Sequence, residues 1–379
     1  MLWYNGLKIV ERKKLMLNKK NKLKRFIACC LTAVIFGTLS HVQNVSADTK
    51  TNDDLLISQS SDTTENSVEL IDADSKGVLD KIDGTHQIEN TKVTEKTQAR
   101  MDQLAKVLLQ FYGVTSVQYA MMDHGEYVLN GQAGYSNVEA KKAPTEDTLY
   151  GVASVSKMYV TAAVMILEQQ GKLDIDTPVY KYVPEFTMQD ERYKDITVRM
   201  LLNHTSGLLG STFHNSMLLG DRDLELKGSL LEALSKQRLS SNPGELPVYC
   251  NDGFSLAEIV VEKVSGMSYT EFLHTYITGP IGANNTYTPA DSFNLAKMCN
   301  IYNSGKRMRP EILTSIGAGG IISTAKDLCK FGQLFTEQNV GILSKDSINC
   351  MQSKQYLDKL WFEDDDNLFS FGLGWDSVQ

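Results

Sequence analysis

Residues 158–167 limit the architecture of this chain more than any other stretch: nearly all apolar or small, they run straight on from Ser154-Val155-Ser156-Lys157. A helix that is apolar all round has no face to offer water and lies in an interior. The chain has the length to enclose it, since 379 residues suffice for one large domain or two ordinary ones. Its 42% apolar and 22% charged residues are those of a globular protein.

Lys157 follows Ser154 by three residues, and on a helix positions i and i+3 share a face, so the amine reaches the hydroxyl. A serine hydroxyl is a poor nucleophile unless a neighbour removes its proton. An amine does this at neutral pH only where burial or a nearby cation lowers its pKa, and the apolar run after Lys157 supplies the burial. Spacing alone is a weak signal, because Ser323-Thr324-Ala325-Lys326 shares it. There Thr324 and Asp327 read as a helix-start capping pair, with an ordinary surface helix from Leu328 onward.

Charge divides the chain. The first 47 residues carry nine Lys/Arg and one acid, Glu11, leaving −16 on the remainder of a chain whose net charge is −8. So acidic a body repels phosphate backbones, which excludes nucleic acid as a partner. Residues 1–47 read as a signal peptide: a basic stretch ends at Lys24 and Arg25, an apolar run covers 26–39, and Val45-Ser46-Ala47 offers a cleavage site. At about 14 residues the run is short for a membrane span, and an N-terminal anchor giving membrane association is the alternative. Residues 48–96 contain no aromatic residue and carry twelve acids against five Lys, so they are expected to form a disordered spacer. The folded domain is expected over 97–379.

Within it, apolar spacing predicts a helix over 98–111, stopped by Gly113, and strands over 116–122 and 126–135. Helices dominate from Ser154 to about Gly282, one of them over 255–264, Gly317-Ala318-Gly319-Gly320 punctuates the later chain, and 369–378 reads as the start of a strand. Cys250, Cys299, Cys329 and Cys350 lack paired spacing and are expected to be mostly buried thiols. No metal or cofactor is implied.

Tyr150-Gly151-Val152-Ala153-Ser154-Val155-Ser156-Lys157 resembles the nucleophile motif of class C β-lactamases, D-alanyl-D-alanine carboxypeptidases and related esterases. The resemblance continues through Gly171-Lys172-Leu173-Asp174-Ile175-Asp176-Thr177-Pro178-Val179 and Leu201-Leu202-Asn203-His204-Thr205-Ser206-Gly207-Leu208. It identifies Tyr249-Cys250-Asn251 as the family's Y-x-N motif. By that likeness Ser154 is the nucleophile, Lys157 its base, Tyr249 a proton shuttle and Asn251 a substrate-binding amide. Tyr135-Ser136-Asn137, upstream of the nucleophile, is a decoy. His204 could be read as a base for serine, but the resemblance gives it a structural place. No glutamate motif for a class A deacylation base is seen.

The fold so implied is α+β, β-lactamase/transpeptidase-like: an antiparallel sheet flanked by helices, plus a helical subdomain. The implied function is that of an exported hydrolase at the cell surface, with a D-Ala-D-Ala-like cell-wall peptide, a β-lactam or an ester as substrate. A catalytically silent binder of cell-wall peptide is the alternative. The family's third motif, K-T-G or H-x-G, is not found: Lys330-Phe331-Gly332 falls in a helical pattern, and Phe371-Gly372-Leu373-Gly374-Trp375 resembles only the lead-in to that strand. Without that strand's oxyanion donor, worth about two to three orders of magnitude in rate, the expectation is of a domain truncated at its C-terminus.

Overall fold

A computed structural model of the chain describes residues 95–211, 226–355, 371–376 and 378; the expected signal and nearly all of the expected spacer lie outside these. The described part is mixed helix and sheet. Helix α1 (Glu95–Tyr112) opens it, beginning slightly before the expected boundary. Strands β1 (Ser116–Asp123) and β2 (Glu126–Gly134) form an antiparallel hairpin with a bulge between Met121 and Met122. β2 ends at Gly134, φ +82°, where a Cβ would stand 2.2 Å from the Thr115 carbonyl oxygen. A side chain there would collide with the Thr115 backbone, so glycine is required.

The two-residue strand β3 (Tyr150–Gly151) leads into helix α2 (Ser156–Gln169), whose residues 156–167 are all buried, as its composition demanded. Helices α3 (Val198–Leu202), α4 (Leu226–Ser235), α5 (Asn251–Ser265) and α6 (Tyr269–Leu273) follow. α5 starts four residues before the expected 255, capped by the Cys250 thiol, which accepts from the Gly253 N–H at 3.3 Å. It stops at Gly266 in the left-handed region, φ 72°. The hairpin β4 (Tyr302–Asn303) and β5 (Lys306–Arg307) precedes β6 (Ile322–Ser323), which pairs with β3. Helices α7 (Ala325–Gly332) and α8 (Lys345–Gln352) complete the order.

One large apolar cluster surrounds α2, drawing in Leu201 and Leu202 from α3, Phe254, Leu256 and Val260 from α5, Phe331 from α7 and Leu373 near the end of the chain. Tyr159 stacks on Phe331 with ring centroids 3.7 Å apart. Burying side chains of this size stabilises by roughly 1.5–3 kcal/mol each before chain entropy is set against it.

Two expectations are corrected. Residues 371–376 form a turn rather than the start of a strand: the Gly372 N–H bonds to the Trp375 carbonyl, and the Gly374 N–H goes to the Leu202 carbonyl. Gly374 has φ 72° and sits where a Cβ would come 2.4 Å from Thr161 Oγ1. Among the described residues these four cysteines form no disulfide, but of them Cys250 alone is buried and the others are half-buried.

Candidate active site

Strand β3 aims the nucleophile. Tyr150 and Gly151 pair with Ser323 and Ile322, and the Val152 N–H continues the ladder to the Ile321 carbonyl at 3.0 Å. Ala153 then takes φ +45°, a conformation uncommon outside glycine, and begins a single 3-10 turn over Ala153–Val155. Ser154 is therefore in the turn before α2, not inside the helix, and its side chain is exposed. In a 3-10 turn residues i and i+3 eclipse, which brings Lys157 Nζ within 3.2 Å of Ser154 Oγ.

Lys157 is wholly buried. Its Nζ donates to Asn251 Oδ1 at 2.7 Å and to the Ala318 carbonyl at 2.8 Å. The rings of Tyr249 and Phe254 stand 4.8 and 5.3 Å away. Burial brings the amine down to about 8, against the opposing pull of Asp376 and Cys250. The Ala318 carbonyl belongs to a π-type turn, Ile316–Gly320. Its glycines make the approach possible: a Cβ on Gly317 would meet the Phe254 carbonyl oxygen at 2.8 Å, and one on Gly320 the Leu313 carbonyl oxygen at 2.2 Å.

Tyr249 donates its hydroxyl proton to Ser154 Oγ at 2.7 Å. Desolvation, then the Asp376 carboxylate, raise its phenol above the ordinary tyrosine range. Asn251, the first residue of α5, points its oxygen at Lys157 and its Nδ2 at Ser211 Oγ, 2.7 Å away. Ser154, Lys157, Tyr249 and Asn251, all expected from the sequence, are thus brought together. His204 stacks on Tyr249 at 4.5 Å rather than reaching Ser154, and its Nδ1 accepts from the Cys250 N–H at 2.9 Å. The Ala318 carbonyl, Ser211 and Asp376 were not foreseen; the run of small residues around Ala318 was the one available signal.

The look-alike motifs lie elsewhere. Ser323 is buried, its hydroxyl 2.8 Å from Thr286 Oγ1, while Lys326 pairs with Glu146. Thr324 caps α7 by accepting from the Asp327 N–H at 3.2 Å, as expected. Lys330-Phe331-Gly332 closes α7, with Lys330 donating to the Gly282 carbonyl. Tyr135-Ser136-Asn137 follows β2, where the Ser136 and Asn137 N–H groups bond to the Lys142 carbonyl.

Residues 101–378 match the family described as Beta-lactamase. The chain is similar to Penicillin-binding protein 4* of Bacillus subtilis (strain 168), 27% identical over 252 residues that cover 64% of this chain and 51% of that protein. It is similar also to Protein flp of Staphylococcus aureus (strain N315), 26% identical over 197 residues, 52% of this chain and 39% of the other. The chain thus spans about half or less of the length of these curated relatives. Among solved structures, the octameric penicillin-binding protein homologue from Pyrococcus abyssi aligns with a TM-score of 0.60 at 26% identity, covering 73% of this chain and 64% of that one. EstCE1, a hydrolase with promiscuous acyltransferase activity, shares the fold at 21% identity, with a TM-score of 0.61 over 73% of this chain and 81% of its own. With the β-lactamase/transpeptidase fold in place and most of its length matched, the chain belongs to the Beta-lactamase family.

Proposed function

We propose that this protein is an exported serine hydrolase that forms an acyl-enzyme on Ser154, taking its acyl group from a β-lactam, a D-Ala-D-Ala-like peptide or an ester. One observation carries the reading. Lys157 is held by two oxygens that can only accept, Ala318 O and Asn251 Oδ1, with Ser154 Oγ at its third position. As an ammonium it fills all three with N–H donors. After losing one proton it keeps two N–H bonds to the fixed oxygens and turns its lone pair to Ser154. A pKa of about 8 leaves that state populated near neutrality.

The Ser154 proton passes to Lys157 as Oγ attacks the acyl carbon. Tyr249 gives its hydroxyl proton to the departing nitrogen or oxygen, and the Lys157 ammonium restores the phenol. Water then attacks the Ser154 ester, its proton returning through the same pair to Oγ, and the free acid leaves.

Substrate class draws support from the relatives' names, which include two penicillin-binding proteins or homologues and one hydrolase with acyltransferase activity. Export is supported by the basic, apolar and small-residue succession of 1–47. The test is turnover and labelling with three probes: a fluorescent penicillin, an activated aryl ester and a D-Ala-D-Ala peptide. At least one is expected to react with the wild-type protein and fail with Ser154→Ala; a protein inert to all three, or equally reactive after the substitution, would refute the reading.

A further inference from the structure

His204 takes φ +66°, which few residues other than glycine adopt, and its ring is almost wholly buried. Because Nδ1 accepts from the Cys250 N–H, the ring proton sits on Nε2. That Nε2–H is buried and has no hydrogen-bond partner among the described residues, an arrangement native structures rarely keep without a purpose. Asp376 Oδ1 lies 3.7 Å from it, just beyond hydrogen-bonding length. The Asp376 side chain is 58% exposed, so a small rotation closes the gap with little repacking. One face of the His204 ring carries Tyr249, with centroids 4.5 Å apart and planes 26° from parallel, and Phe254 and Phe371 hold the ring from other sides at 5.0 and 4.8 Å.

We propose that His204 and Asp376 are a positioning pair for Tyr249: in the reactive arrangement the Asp376 carboxylate accepts the Nε2–H of His204, and the ring so fixed holds the phenol on Ser154. The inference rests on the acyl-enzyme reading above. Among the described residues the ionisable groups that act on His204 are Tyr249, Lys157 and Asp376. Burial keeps the imidazole below its ordinary pKa, and Lys157 adds to this while Asp376 opposes it. Neutral imidazole is the form that can accept at Nδ1 and donate at Nε2 together. Asp376 also acts on the pair it helps to hold, since its charge raises both Lys157 and Tyr249.

The experiment measures Ser154 acylation by a fluorophosphonate probe against pH, for wild type, Asp376→Asn, Tyr249→Phe and the double variant, with the His204 ring followed by 15N–1H NMR. Asp376→Asn is expected to slow the limiting rate by about ten- to a hundredfold through misplacement of the phenol. It should also lower the pH of half-maximal rate and move the Nε2–H resonance. In the Tyr249→Phe background the same substitution should slow the limiting rate no further, because the two act through one group. Wild-type rate and pH profile in Asp376→Asn, or full additivity with Tyr249→Phe, would overturn the positioning role alone. Absence of probe labelling in the wild-type protein would overturn the acyl-enzyme reading and the role with it, whatever the NMR shows.

Discussion

Two neutral oxygens, not a carboxylate, receive the Lys157 amine, and this decides its chemistry. A salt-bridged lysine would be held charged; a buried one between neutral acceptors gives up its proton more readily. Because the base must be neutral to act, acylation should rise with pH and reach half its plateau at about 8. Lys157→Arg keeps the charge but not an amine that can lose a proton, so the acylation rate should fall at least about a hundredfold; stopped-flow rates near wild type in that variant would remove Lys157 as the base. Glu311 offers a test of burial without partners. Its carboxyl packs on Gly151, whose absent Cβ would stand 2.8 Å from Glu311 Cδ, and desolvation alone raises it from 4.5 to about 7. A carboxyl raised in the folded state stabilises below its unfolded pKa, and that contribution is lost as pH climbs through about 7. Glu311→Gln should therefore match wild type in the acid range and exceed it at pH 8 by up to about 3 kcal/mol. A stability difference that does not change with pH would contradict this origin. The four chemical side chains were legible because their types and order carry the motif. The Ala318 carbonyl was not, since any residue supplies a backbone oxygen and only the packing of glycines around it shows where it goes.

At the scale of elements, α2 and α5 meet the site with their first turns, and both could be read from the sequence. The all-apolar run fixed the burial of α2, while Asn251 entered α5 four residues ahead of the periodic stretch because Cys250 caps it. The pairing of β3 with β6 could not be read: two residues on each side carry no alternation to detect, and their partners lie far apart in sequence. The closing turn was misread for a definite reason. Phe371, Leu373 and Trp375 recur at every second position, the period of a strand, yet Gly374 at φ 72° turns the chain back on α2. It thereby brings Phe371 and Asp376 to His204. Gly374→Ala would both strain the backbone and press a methyl to within 2.4 Å of Thr161 Oγ1. We expect a loss of about 2 kcal/mol or more in denaturant unfolding, together with slower acylation; a variant as stable as wild type would show that the turn is not held as described.

Over the whole molecule, the site exists because distant segments share one core. Ser154 meets Tyr249 95 residues later, and Lys157 meets Ala318 161 residues later. Local pattern places elements but not these closures; motif spacing and the family likeness supplied the first, and the second came only from the packing. The acidity of the body bears on partners rather than on fold. The central claim, that Ser154 is the group acylated, is tested most directly by intact-protein mass spectrometry after exposure to a penicillin or activated ester, followed by peptide mapping of the adduct. The account predicts one acyl group per chain on the peptide that contains Ser154, no adduct in folded Ser154→Ala, and an unchanged adduct in Ser323→Ala. An adduct mapped to Ser323 or to any other residue, or one that persists in folded Ser154→Ala, would contradict it.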